Sequence, residues 1–153
     1  MGTAAEAPPA HSAWCYGSPG ISRSLHLSGL ALNRSDLCVA AVDSIAATLR
    51  RSAAARALNS PTFCHGTAGL LQIVLRFLAE APNRNLEGGV HNLLSTLLAQ
   101  HDPQSLVGVQ SRGPEGITID SPSLLDGAAG VALVLLSISH DVEPEWDRAF
   151  LLS

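Results

Sequence analysis

A Gly-x-x-Gly phrase occurs three times along this chain, and each occurrence opens an apolar run with helical spacing. The phrases occupy residues 17–20, 66–69 and 127–130, so successive phrases begin 49 and then 61 residues apart. Self-similarity on this length scale is typical of stacked repeats in which each unit is a helix pair. Glycine permits both the turn and the close backbone packing that a crowded helix start requires. The pattern therefore predicts a helical repeat fold.

Apolar residues are distributed differently in consecutive predicted helices. Residues 70–81 are apolar nearly all round, whereas residues 87–101 carry a single apolar stripe. A helix that is apolar on all sides is buried, and a striped helix lies at the surface. The same order of inner and outer helix is predicted at 21–32 with 36–58, and at 131–140 with the start of an outer helix at 143–153.

This alternation predicts an all-α protein, an incomplete α/α toroid of about two and a half units. The toroid segment is predicted over residues 13–153, and the Ala- and Pro-rich residues 1–12 are predicted to be an irregular lead-in. The long connection at 103–123 holds a candidate short strand at 116–120. Because repeat folds need neighbours to cover their flanks, the chain is expected to be part of a larger ring.

The composition excludes several classes of function. A net charge of -4, with nine arginines and no lysine, offers no basic stripe for nucleic acid or an anionic membrane. The longest apolar stretch, residues 127–138, is shorter than the roughly 20 residues that a membrane span needs. The first ten residues lack the basic start and apolar centre of a signal peptide. A cytoplasmic protein without a transmembrane segment is therefore predicted.

Two cysteines occupy the same place in their repeats, two residues before the first glycine. Equivalent positions of neighbouring repeats lie side by side, so Cys15 is expected to face Cys64, with His65 beside them. Two thiolates and an imidazole are suitable zinc ligands, and a site with three protein ligands leaves a fourth position open to water or substrate. The alternative is that each cysteine is a small buried hydrophobic residue at a crowded helix start. Cys38 lies within a predicted outer helix and is interpreted as a core residue.

The position after the cysteine is filled by a different polar residue in each repeat: Tyr16, His65 and Asp126. These side chains are expected to share one rim. Tyr16 and the neighbouring Trp14 are candidates for lining a substrate pocket, and rim packing is the alternative. Asp126 is also a pocket candidate, and its alternative role is to cap a helix or to place a negative charge at a helix N-terminus. The remaining histidines are interpreted as structural or surface residues, although His26 lies on an inner helix and retains a claim as a cavity residue.

The phrase Trp14-Cys15-Tyr16-Gly17, followed by Cys64-His65-Gly66, resembles the lanthionine synthetase C (LanC) cyclases. Residues 124–130 look like the last repeat of that family, and residues 146–152 look like its C-terminal end. The resemblance implies seven inner helices within seven outer ones, of which this chain would hold about the last three pairs. It also implies one Zn²⁺ ion held by Cys15, Cys64 and His65, with water or the substrate thiolate as fourth ligand.

The resemblance further implies an activity. LanC cyclases add a peptide cysteine thiolate to dehydroalanine or dehydrobutyrine and so close thioether rings in a lanthipeptide precursor. The expected partners are the dehydrated precursor peptide and a lanthipeptide dehydratase. In the family the assisting histidine and aspartate belong to earlier repeats, so no catalytic acid is assigned here, and cyclase activity is expected only once those repeats complete the ring. The alternatives are a non-catalytic zinc- or thiol-binding module for a peptide or glutathione, and an inactive truncated remnant.

Overall fold

The computed structural model describes residues 11–80, 82–112, 116–140 and 143–153. The helices are α1 (Ser18–Ala31), α2 (Ser35–Arg50), α3 (Ala53–Arg56), α4 (Thr67–Glu80), α5 (Arg84–Ala99) and α6 (Ala128–Ser139). Two short strands, β1 (Ser111–Arg112) and β2 (Thr118–Ile119), pair antiparallel in the long connection, which confirms the candidate strand there. A 3₁₀ helix, Trp146–Phe150, follows α6. Residues 1–10 of the predicted lead-in lie outside the described residues, so the division into a lead-in at 1–12 and a toroid segment at 13–153 stays a prediction.

The helices form two layers. The inner layer has α4 in contact with α1 on one side and α6 on the other, while α2 packs on α1 and α5 packs on α4 in the outer layer. Ten of the fourteen residues of α4 are buried, whereas α5 buries only Leu86, Gly89, Leu93 and Leu97. This difference between an inner and an outer helix confirms the all-α, incomplete α/α toroid.

Glycine is required in the Gly-x-x-Gly phrases because there is no room for a side chain. A Cβ atom added to Gly69 would lie 1.9 Å from the Phe63 carbonyl oxygen, and one added to Gly20 would lie 2.1 Å from that of Trp14. The chain before each inner helix therefore folds back onto the first turn of that helix, at a distance that no side chain permits. Gly17 itself has an extended backbone with φ of 171°, so close approach, and not a left-handed turn, explains the glycine.

The first outer helix is shorter than predicted. The sequence predicted one helix over 36–58, but α2 ends at Arg50 and the separate turn α3 follows. The chain is extended at Arg51, and the Ser52 hydroxyl then accepts a hydrogen bond from the Ala55 amide at 3.2 Å. A serine at this place competes with continuation of a helix because it caps a new one.

The C-terminal segment also differs from the prediction. Residues 143–153 were expected to begin an outer helix, but the 3₁₀ helix lies against the inner helices. Asp147 is fully buried and accepts hydrogen bonds from Gln72 and from Arg76, each at 2.7 Å. The Arg23 guanidinium donates to the Leu152 carbonyl at 2.8 Å. Buried arginines on the inner helices need acceptors, and the C-terminal segment supplies them.

Candidate metal centre

Backbone hydrogen bonds join the three loops that precede the inner helices. The Cys15 amide donates to the Cys64 carbonyl at 3.3 Å, and the Cys64 amide donates to the Leu125 carbonyl at 2.9 Å. Cys15, Cys64 and Leu125 are equivalent, since each stands two residues before the first glycine of its repeat. The loops are therefore held in register, and this register places the two cysteines side by side.

Cys15, Cys64 and His65 bring three potential ligand atoms together. One donor atom from each residue lies within 4.8 Å of the other two. In a tetrahedral zinc site with Zn–S bonds of about 2.3 Å, neighbouring sulfur ligands are about 3.8 Å apart, so small side-chain rotations would suffice for binding. Cys15 is exposed, while Cys64 and His65 are half-buried. All three cysteines of the chain are free thiols, and this donor set fits zinc.

The electrostatics of Cys64 favour a bound cation. Burial raises the pKa of its thiol to about 12, and the hydrogen bond to Cys15, the charge of the Cys15 thiolate and the Asp126 carboxylate act in the same direction. Two thiolates this close repel each other unless positive charge compensates them. A divalent cation is the natural compensation because it binds both thiolates directly.

An open cleft of about 690 Å³ lies beside Cys15. Its walls are α1, the loop before α1 and the C-terminal segment, and they include Trp14, Tyr16, Ile21, Leu25, Phe150 and Leu151. Tyr16 is 55% exposed, and its ring lies 4.9 Å from that of His11. Trp14 has two roles, because its indole N–H also donates to the Phe150 carbonyl at 3.3 Å and its ring packs 5.4 Å from Phe63. Pocket lining and rim packing are thus compatible for Trp14.

Asp126 lies apart from this cleft. Its carboxylate is 3.4 Å from His65 Nδ1, and Asp126 is not among the residues of the cleft wall. Gly127 is the N-cap of α6, and no side chain caps that helix. Neither the predicted pocket role nor the capping alternative describes this contact with the histidine.

Two further predicted residues lie away from the site. Cys38 is half-buried, with its sulfur 3.7 Å from the His26 carbonyl. His26 is buried, and its Nε2 is 2.6 Å from the Glu80 carboxylate. Glu80 also forms a paired contact with Arg23, at 2.6 and 2.8 Å. The sequence prediction missed this cluster, although charged residues within predicted inner helices were a usable signal.

The prediction also missed the contribution of the C-terminal segment to the cleft. Phe150, Leu151 and Leu152 form one of its walls. These residues are far from Cys15 in the sequence, so spacing could not predict that they share a cleft with it. The aromatic residues near the chain end were the one indication that this segment packs against the rest of the fold.

Comparison with known proteins agrees with this architecture. The profile of a family described as lanthionine synthetase C-like protein matches residues 5–151. The chain belongs to this family. The nisin biosynthesis protein NisC of Lactococcus lactis subsp. lactis is 26% identical to it over 148 residues, which are 96% of this chain and 32% of NisC. A solved structure of a nisin cyclase superposes with a TM-score of 0.72 at 25% identity, covering 98% of this chain and 34% of that one.

The lanthionine synthetase C-like chain thus spans about a third of the length of the relatives it matches. Within the part of the chain that the structure describes, no helix has the length and hydropathy to cross a membrane.

Proposed function

We propose that this chain carries the zinc centre of a lanthipeptide cyclase, with Cys15, Cys64 and His65 as the three protein ligands. The observation that carries the proposal is the convergence of two thiols and an imidazole from neighbouring repeats to within 4.8 Å. Three protein ligands leave one tetrahedral position for water or a substrate thiolate, as in catalytic zinc sites. Membership of the lanthionine synthetase C-like family supports the same assignment.

The reaction would add a cysteine thiol of a precursor peptide to a dehydroalanine or dehydrobutyrine residue of the same peptide. The thiol S–H bond breaks and its proton is released, a carbon–sulfur bond forms at the β-carbon as the carbon–carbon π bond breaks, and the α-carbon gains one proton, so the reaction is balanced and needs no redox partner. Zinc, when bound, would supply the charge that lowers the pKa of the substrate thiol. The partners would be the dehydrated precursor peptide and its dehydratase. A cytoplasmic location would suit this chemistry because thiols stay reduced there.

The residues around the cleft suggest how a substrate would approach. Cys15 is exposed beside the cleft, so a peptide thiol would reach the open ligand position from that side. Trp14 and Tyr16 would contact the peptide next to its cysteine. Among the described residues of the cleft wall, only Cys15 and Tyr16 are titratable. Neither is a carboxylic acid or an imidazole, so a histidine or aspartic acid that protonates the α-carbon would come from repeats other than those in this chain.

The same scarcity of acids favours a second candidate function. A site that holds a thiol but has no carboxylic acid or imidazole in its described cleft wall would act as a zinc- and thiol-binding module for a cysteine peptide or glutathione. In that case the peptide binds and no ring forms.

Metal analysis of the purified chain tests the zinc site. About one zinc per chain is expected in the wild-type protein, and less than a tenth of that in Cys15→Ala and Cys64→Ala. Cys38→Ala is the matched control, since it removes the third cysteine, which lies outside the cluster, and it should keep its zinc. A folded wild-type chain without zinc would refute the ligand assignment.

A cyclisation assay separates the two candidate functions. Ring closure leaves the peptide mass unchanged because it is an isomerisation, so loss of alkylatable thiol must be followed by mass spectrometry. The substrate is a peptide with one cysteine and one dehydroalanine, incubated with the zinc-loaded chain alone and with the N-terminal two thirds of a family member added. Zinc-dependent thiol loss supports the cyclase. Binding without thiol loss in both reactions supports the binding module.

A further inference from the structure

The third repeat contributes a carboxylate to the cluster. Asp126 Oδ1 lies 3.4 Å from His65 Nδ1, while the cysteine position of that repeat is filled by Leu125, which cannot bind a metal ion. The first two repeats would supply ligands through Cys15, Cys64 and His65. The side chain of Asp126, from the third repeat, contacts the histidine and is not one of the three residues of the cluster.

The loop backbones define where Asp126 stands. The Cys64 amide donates to the Leu125 carbonyl at 2.9 Å, so the residues that follow these two, His65 and Asp126, leave paired loops at neighbouring points. The Asp126 amide in turn donates to the Ser123 hydroxyl at 3.2 Å. The contact between carboxylate and imidazole is therefore built into the register of the repeats.

We propose that Asp126 is a positioning residue of the metal centre: its carboxylate accepts the Nδ1–H of His65, so that Nε2 is the nitrogen presented to zinc. This inference rests on the proposed function, since it concerns the same zinc site. An imidazole nitrogen that carries a proton cannot bind a metal ion, and the hydrogen bond selects which nitrogen carries it. A carboxylate in this place also fixes the ring orientation and makes the other nitrogen a stronger ligand.

The test measures zinc affinity by competition with a chromophoric chelator, using the full chain and zinc ion alone. Asp126→Ala should bind zinc 10- to 100-fold more weakly than the wild-type protein, the usual effect of losing such a partner. Asp126→Asn keeps an acceptor oxygen, so it should recover at least half of that loss on a logarithmic scale. The matched control is Asp120→Ala, which removes one exposed carboxylate from the preceding connection and should change the affinity less than 2-fold.

Three further measurements separate positioning from other roles. Long-range ¹H–¹⁵N spectra of the zinc-loaded protein should show a protonated Nδ1 and a metal-bound Nε2 at His65. Visible spectra of the Co²⁺ form should match between the wild-type protein and Asp126→Asn. Thermal unfolding of the metal-free variants should show unchanged Tm values, and if Asp126→Ala does not fold, Asp126→Asn and the nitrogen spectra still decide.

The results that would overturn the positioning role differ from the result that would overturn the zinc site. Wild-type affinity in Asp126→Ala, or a metal-bound Nδ1, would overturn the positioning role. Equal weakening in both Asp126 variants with altered Co²⁺ bands would also overturn it, because Asp126 would then be a direct ligand. If the wild-type protein binds no zinc, the proposed function fails, and this inference fails with it. If the wild-type protein binds zinc and both Asp126 variants bind it with the wild-type affinity, only this inference fails.

Discussion

Helices α1 and α4 occupy the same position in successive repeats, yet they differ in how they are covered. Leu70, Ile73 and Phe77 of α4 are at most 1% exposed. The equivalent positions of α1, 49 residues earlier, are Ile21, Ser24 and Ser28, all exposed, and Ile21 is 69% exposed. Inner helices α1 and α6 lie on either side of α4, whereas in the described part of the chain the main inner-helix neighbour of α1 is α4. Burial of an inner helix therefore depends on its neighbours, and α1 has serines where α4 has large apolar side chains.

Both helices nevertheless hold the C-terminal segment through equivalent residues. Arg23 of α1 donates to the Leu152 carbonyl, and Gln72 of α4 donates to Asp147. Both contacts are buried, but the contact at α4 involves a second cation, because Asp147 also pairs with the guanidinium of Arg76. The two helices can thus be compared by mutation at matched places.

The largest effect is expected at the α4 contact. Asp147→Ala should lower the free energy of unfolding by about 3–5 kcal/mol, because it removes the buried carboxylate partner of Arg76 and leaves that guanidinium only the exposed Glu143 carboxylate. Urea denaturation followed by circular dichroism measures this change. The control is Asp36→Ala, which removes an exposed pair with Arg34 and should cost far less, because solvent screens exposed ion pairs. Similar costs for both variants would mean that the C-terminal segment is not docked on α4.

A matched pair of truncations tests the α1–α4 difference directly. Leu70→Ala should cost about 2–5 kcal/mol, since it deletes a fully buried side chain. Ile21→Ala, at the equivalent exposed position, should change stability by no more than about 0.5 kcal/mol. Both values come from the same urea experiment. A large cost for Ile21→Ala that grows with protein concentration would show that another copy covers this face of α1.

The ion pair between the two helices should have a smaller and pH-dependent effect. Burial opposes ionisation of Glu80, but the hydrogen bond and charge of Arg23, together with His26, outweigh it, so the pKa of Glu80 lies below its ordinary value of 4.5. A lowered pKa in the folded state stabilises the protein above about pH 4.5, and this stabilisation is lost as the pH falls through the folded-state pKa. Glu80→Gln should therefore cost about 1–2 kcal/mol at pH 7.

The same measurement as a function of pH completes this prediction. The difference between the wild-type protein and Glu80→Gln should shrink steadily below pH 4.5 and vanish once Glu80 is protonated in the folded state. A difference that stays constant to the lowest pH at which the chain is folded would assign the effect to packing.

The smallest effect is expected at the rim. Tyr16 is equivalent to the half-buried His65 but is itself 55% exposed. Tyr16→Phe should alter the free energy of unfolding by less than about 0.5 kcal/mol. A loss above 1 kcal/mol would indicate that the hydroxyl has a structural partner, and it would favour rim packing over pocket lining.

The repeat pattern predicted the fold well because its cause is local. Glycine stands wherever the preceding loop crosses a helix start, as at Gly20 and Gly69, and the apolar periodicity separates inner from outer helices. The same register predicted that Cys15 would lie beside Cys64. The repeat pattern could not predict where residues 143–153 pack, because their docking depends on single buried contacts, such as that between Arg76 and Asp147, which do not recur from repeat to repeat.

The sequence predicted that His65 and Asp126 lie near each other, but it did not predict that their side chains make contact. The repeat alignment placed both residues on one rim. Whether a carboxylate there faces a cleft, a helix end or an imidazole depends on side-chain direction, which spacing alone does not determine. The sequence could not predict the cleft wall formed by Phe150 and Leu151, because that wall exists only once the C-terminal segment docks through single buried contacts.

The hydrogen-bonded row of loops has a consequence for how such a site could evolve. The separation of the two thiols is a property of the step between adjacent repeats, since the Cys15 amide meets the Cys64 carbonyl just as the Cys64 amide meets that of Leu125. The two junctions in the described residues therefore have the same backbone contact. Two cysteines meet at the first junction, whereas a cysteine meets Leu125 at the second, so the side chains and not the backbone decide which junction can hold a metal ion.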